Sequence, residues 1–153
     1  MMKLPLSVAV KNFLGLYVLT PFEQRLLARL KEALAPEEKE IIEFQLAHFT
    51  TVRRLIRHVD VPNAHGYTNF YTLRLGSDVT DKVQTKRFSS NKVHSVIATA
   101  QISYSGGEIN VKFVLVRDVL FRIEYRSRQK IYYPPGEYRV VSFDVWPEAS
   151  KPE

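Results

Sequence analysis

Two runs of strict alternation, Val96 to Tyr104 and Ile109 to Leu115, flank a pair of glycines, and nothing else in the chain restricts its folding so sharply. In the first run Val96, Ala98, Ala100, Ile102 and Tyr104 recur at every second position. In the second, Ile109, Val111, Phe113 and Leu115 do the same. A helix would scatter such residues around its circumference, whereas a pleated strand gathers them on one side. The intervening Ser105-Gly106-Gly107-Glu108 has the chemistry of a hairpin turn. A two-residue loop at Gly106-Gly107 pairs Tyr104 with Ile109, Ile102 with Val111 and Ala100 with Phe113. Both apolar sets then share a face, as the two-residue period of a strand requires.

Further strands read on either side. Tyr67 to Leu75 alternates with Tyr67, Asn69, Tyr71, Leu73 and Leu75 on one face. Arg117-Asp118 makes a tight turn into Val119 to Arg126, where Phe121, Ile123 and Tyr125 oppose Arg122, Glu124 and Arg126. Tyr138 to Trp146 supplies the last strand. Asp60 to Gly66 has the Pro, Asn and Gly of a loop, and Gly76 to Asn91 is a charged connection without periodicity, whose length and composition imply mobility.

Helices precede the strands. Thr20-Pro21-Phe22-Glu23 combines an N-cap hydroxyl, a proline at the first helical position and the glutamate of a capping box. Leu26, Leu27, Leu30, Ala33 and Leu34 follow at helical spacing. A second start at Ala35-Pro36-Glu37-Glu38 leads into Ile41, Ile42, Leu46 and Phe49. The spacing of Ile42, Phe49 and Ile56 would let this helix run on to Val59, but the β-branched Thr50-Thr51-Val52 favours a helix ending near His48 and a strand from Thr51 to Val59.

The sum is an α+β fold, with N-terminal helices covering one face of a curved antiparallel meander of about six strands. In element order this layout is similar to the cystatin-like and NTF2-like folds. The resemblance implies a cone-like pocket between helix and sheet if the sheet curls, and such folds host many functions. At 153 residues one domain is expected, with an N-terminal segment 1–19, a helical part 20–49, the sheet 50–146 and a tail 147–153.

Several chemistries are excluded or unsupported. Without cysteine there can be no disulfide, thiolate nucleophile or Cys-based zinc site. The sequence has no Walker or dinucleotide fingerprint and no nucleophile elbow, so neither cofactor nor covalent catalysis is expected. Lys11 and Asn12 interrupt the N-terminal apolar run, and no stretch approaches the roughly 20 residues that cross a bilayer. A cytoplasmic protein is expected.

Charge gives the leading indication of function. Residues 1–49 carry six basic and six acidic groups, residues 50–139 fifteen and seven, and residues 140–153 one and three, so the net +6 belongs to the sheet half. Arg53 and Arg57 share one strand face, and Arg54 and His58 the other. Lys82, Lys86, Arg87 and Lys92 surround Phe88, and Arg126, Arg128, Lys130 and Arg139 surround Tyr132 and Tyr133. Together with Tyr67 and Tyr71, these side chains make a basic, tyrosine-rich surface suited to a protein partner, in particular an acidic one. The same mixture of cations and aromatics can hold phosphates while bases stack, so nucleic acid is an alternative. The runner-up, ahead of nucleic acid, is a small-molecule-binding or enzymatic cone-shaped domain with His58, Asp60 and His65 at the mouth of a helix–sheet pocket, where two imidazoles and a carboxylate could do acid–base work. They lack the further ligands of a metal site.

Overall fold

The computed structural model describes residues 17–56, 65–128 and 133–146. Helix α1 spans Pro21–Ala33 and α2 Pro36–His48. Strands β1 (Thr51–Ile56) and β2 (His65–Tyr71) precede a small hairpin, β3 (Leu73–Arg74) and β4 (Ser77–Asp78), and a short helix α3 (Thr80–Val83). Four strands complete the order: β5 (His94–Tyr104), β6 (Gly107–Val116), β7 (Val119–Arg126) and β8 (Tyr138–Val145).

The helix starts follow from local chemistry. The Thr20 hydroxyl accepts from the Glu23 N–H at 3.2 Å, and Glu23 Oε1 accepts from the Thr20 N–H at 3.1 Å, closing the capping box. Helix α2 has proline in its first turn and half of such a box, with Ala35 N donating to Glu38 Oε2 at 3.3 Å. It stops at His48, and the β-branched residues after it form β1, as the composition implies.

The α+β layout with six antiparallel strands is as expected, but the strand order departs from a simple meander: β1-β2-β7-β6-β5-β8. Only β5, β6 and β7 follow one another as a meander. Strand β2 pairs with β7, and β8 crosses over to the far side of β5. Local periodicity defines strands without defining their distant partners, which is why this order could not be read from alternation. The β5–β6 register also differs from expectation. Tyr104 lies opposite Gly107, Ile102 opposite Ile109 and Ala98 opposite Phe113, so the loop is Ser105-Gly106. The slip is two residues, which keeps Ala98, Ala100, Ile102 and Tyr104 on the face of Ile109, Val111 and Phe113. A side chain at Gly106 would place its Cβ 2.7 Å from the Tyr104 ring, which would have to move aside.

Three apolar residues break the alternation. The register slips at Ile97 in β5, Phe121 in β7 and Val141 in β8, each an extra residue opposite a single partner. Such bulges bend the strand and raise its twist. They also reassign faces. Ile97 and Ala98 are both buried while Val96 turns to the opposite side, and Phe121 leaves the face of Ile123 and Tyr125.

The helices cover the face bearing Ile102, Ile109, Phe113, Leu115, Leu120 and Ile123, all fully buried. Phe22, Leu26 and Leu30 of α1 and Ile42 of α2 complete this core, and the Phe22 ring meets Tyr133 and Tyr138 edge-on. Among the described residues, the layer between helices and sheet is made of packed, buried side chains. Its polar members bond to one another. Gln45 on α2 donates to the carbonyls of Lys86 (2.9 Å) and Asp118 (3.2 Å), and its Oε1 accepts from Leu120 N–H (2.9 Å).

The connection from Gly76 to Asn91, expected to be mobile, is tied down. Phe88 and Gln84 are buried. Arg87 donates to the carbonyls of Gln84, Asp81 and Arg117. Ser90 donates to the Asp118 carboxylate through both its N–H and its hydroxyl. Phe88 is therefore a core residue, and Arg87 a clasp holding the segment to the β6–β7 turn. At that turn Arg117 and Asp118 both have positive φ (49° and 65°), the signature of a tight hairpin loop whose twist matches the strands.

Candidate functional site

On the face away from the helices, cross-strand register lines up side chains that are far apart in sequence. One row runs Val96, Val114, Arg122, Asn69, Arg53 across β5, β6, β7, β2 and β1. The next runs Thr99, Lys112, Glu124, Tyr67. Arg126 lies one row further, opposite Asn110.

The β1–β2–β7 end of this face is an ordered cluster of arginines and aromatics. The Arg122 guanidinium carbon lies 4.1 Å from the Tyr67 ring centroid and 5.3 Å from that of Phe121, and its Nε donates to Asn69 Oδ1 at 2.9 Å. Asn69 is buried beneath them. Arg53 covers Tyr71 at 5.4 Å, and Tyr71 meets Phe121 edge-on at 5.7 Å. Arg126 donates from Nε to Glu124 at 3.2 Å. Cation–π contacts hold the Arg53 and Arg122 guanidinium groups against rings and limit the freedom that binding would otherwise remove. Tyr71 and Phe121 also line a cleft of about 540 Å³ that opens towards α3 and the β6–β7 turn.

Of the residues expected from sequence, the structure brings together Arg53, Tyr67, Tyr71 and Arg126 on this face. Arg128 is exposed just beyond the end of β7. Tyr133 is elsewhere, packed edge-on against Phe22 at 5.6 Å on the helix side. An aromatic in a basic loop folds back wherever an apolar neighbour can cover it, so Tyr133 belongs to the core boundary. Arg57, His58, Asp60, Lys130 and Tyr132 lie outside the described residues. His65 opens β2, its backbone opposite Arg126. Among the described residues no group of three or more His, Asp or Glu side chains could hold a metal ion.

Sequence reasoning passed over Arg122, Asn69 and Phe121 as site residues. Arg122 and Asn69 were legible as outward-facing by alternation; Phe121 was hidden by its bulge. It also missed the buried pair on the opposite face. Arg54 donates to both carboxylate oxygens of Glu23, at 2.6 and 2.9 Å, and to the Val18 carbonyl at 2.7 Å, with side chains only 9% and 3% exposed. The alternation of Val52 with Arg54 already directed this arginine inward.

That carboxylate affects nearby phenols. Burial, and then the Glu23 charge, push Tyr17 up to about 12. Burial and Glu23 likewise hold Tyr125 well above its usual value, against the hydrogen bond to Thr68 and the charge of Arg54. A phenol whose pKa rises on folding contributes its full stabilisation below the unfolded value of 10.0, and loses it as pH climbs from there towards about 12. Tyrosinate absorbance should therefore show a late phase coupled to alkaline unfolding and diminished by Tyr17→Phe or Tyr125→Phe. An early titration indifferent to both substitutions would contradict the buried arrangement.

Fold and site together define a small α+β protein with helices on one face of its sheet and an open cation–aromatic surface on the other. No protein-family model, curated protein or solved structure matches the chain. No helix among the described residues is long and apolar enough to cross a membrane.

Proposed function

We propose that this chain is a non-enzymatic binding module that takes a protein partner, and an acidic one in particular, on the open face of its sheet. The observation that carries this reading is Arg122 fixed between Tyr67, Phe121 and Asn69, with Arg53 over Tyr71 beside it. Arginine and tyrosine dominate the energetics of protein interfaces, and a pre-ordered cluster loses little entropy when a partner docks. Cationic groups at Arg53, Arg122 and Arg126 favour encounter with a negative surface. A protein partner is preferred to nucleic acid because guanidinium groups already occupy one face of Tyr67 and of Tyr71, the surface on which a base would stack.

Affinity capture from source-cell lysate tests the reading with three baits: the native chain, Arg53→Glu/Arg126→Glu, and the helix-side control Arg29→Glu. A partner retained by the native chain and the control but lost by the double variant is the expected result. Equal retention by all three would overturn the assignment of this face. So would tight, steeply salt-dependent binding to generic DNA or RNA, the mark of phosphate contacts.

A further inference from the structure

The other end of the open face has a different character. A trough of about 570 Å³ lies over β5 and β6, with Val96 and Val114 in its floor, Trp146 in its wall, and Lys92, His94 and Lys112 among its lining. Among the described residues no carboxylate lines it. The nearest acids by register are Asp144, opposite Thr99, and Glu124, opposite Lys112 and held by Arg126 at 3.2 Å. The trough lies beside the Ile97 bulge. That extra residue turns Val96 outward, and the Ile97 carbonyl accepts from the Trp146 N–H at 2.8 Å, anchoring the tryptophan beside the floor. Trp146 is nevertheless 50% exposed and Val93, just outside, 62%.

We infer that this trough is a binding site for a small amphiphile with an anionic head and an apolar tail. The floor and the indole offer apolar surface that stays in water unless a tail covers it, and covering it is favourable in proportion to the area removed from water. The Lys112 ammonium faces a head of opposite charge, and no acid among the described lining residues repels it. Pockets for small ligands combine a mostly apolar lining with a few polar groups in this way, and volumes of about 300–1,000 Å³ are usual. The trough adjoins the arginine–tyrosine cluster, Val114 lying opposite Arg122, but shares no lining residue with it, so either can fail without the other.

Trp146 is the chain's one tryptophan, and so a built-in reporter. Decanoate, kept below its micelle concentration, is expected to shift the emission of the full chain to shorter wavelength in a saturable way. Decanol should bind more weakly, since it lacks the charge. Lys112→Gln should weaken decanoate binding by about threefold or more, the scale of a partly exposed ion pair, and leave decanol unchanged. Lys31→Gln, on the helix side, should change neither. No saturable shift with decanoate overturns the inference, as does equal binding of decanol and decanoate or indifference to Lys112→Gln. A shift produced by anionic phospholipid vesicles but not by monomeric decanoate would assign the surface to membranes and overturn it equally.

Discussion

Glu23→Gln is expected to destabilise the fold by about 3–5 kcal/mol, the scale on which one partner of a buried ion pair is missed. The glutamine keeps an oxygen for the Thr20 N–H, so the loss reports the charge and not the cap. The substitution removes the charge from the carboxylate that accepts from Arg54 Nε and Nη2, on a side chain only 9% exposed. Thr20→Ala sets the scale for the cap alone, at about 1 kcal/mol. The asymmetry of buried ion pairs supplies the stronger test. Glu23→Leu combined with Arg54→Met should recover most of the loss, because removing both charges also removes their desolvation cost. Urea denaturation of the single and double variants measures both effects. A loss below about 1 kcal/mol for Glu23→Gln would place the pair in the class of surface ion pairs and contradict its burial.

Phe113→Ala is expected to cost about 3–5 kcal/mol, as truncations of buried aromatics do. Phe113 is fully buried on β6, a strand flanked on both sides by others, and its neighbours in register are Ala98 and Ile123. Its ring meets Phe143 at 5.7 Å. Ala98 opposite is too small to swing into the vacated volume, and strands hydrogen-bonded on both edges cannot close inward. The site therefore collapses poorly, and the cost should fall in the upper part of the range. The denaturation midpoint should fall while the dependence on urea is unchanged, the sign of lost stability in an intact two-state fold. A loss under 1 kcal/mol would mean that the β5–β6 pairing does not enclose this ring.

The parts of the fold legible in sequence are those written in local chemistry. Thr20-Pro21-Phe22-Glu23 announces a helix by capping alone, and Ile109, Val111, Phe113 and Leu115 announce a half-buried strand by their period. Strand order was not legible. Nothing in Tyr67 to Tyr71 names β7 as its neighbour, and the crossing of β8 to β5 depends on contacts that arise only in the folded chain. The bulges deceived the reading in a specific way. Val96 and Phe121 continue the apolar pattern in sequence, yet Val96 is turned from the core by the extra Ile97, and Phe121 is itself the extra residue of its bulge. Arg53, Tyr67, Tyr71 and Arg126 were legible as a surface because alternation is reliable between bulges. Gln45 reads as a solvated helix residue, although it stands in line with Ile42 and Phe49, and a polar group within an apolar stripe marks a buried hub.

The kink at Val141 has a consequence for the molecule in a crowded solution. Among the described strands β8 forms one border of the sheet, the kind of edge to which a neighbouring chain can add itself and continue the ladder. The inserted valine interrupts the regular spacing of its backbone groups midway along the border. Along β8 an incoming strand finds no long straight edge to zip against, which disfavours fibrous stacking at that border.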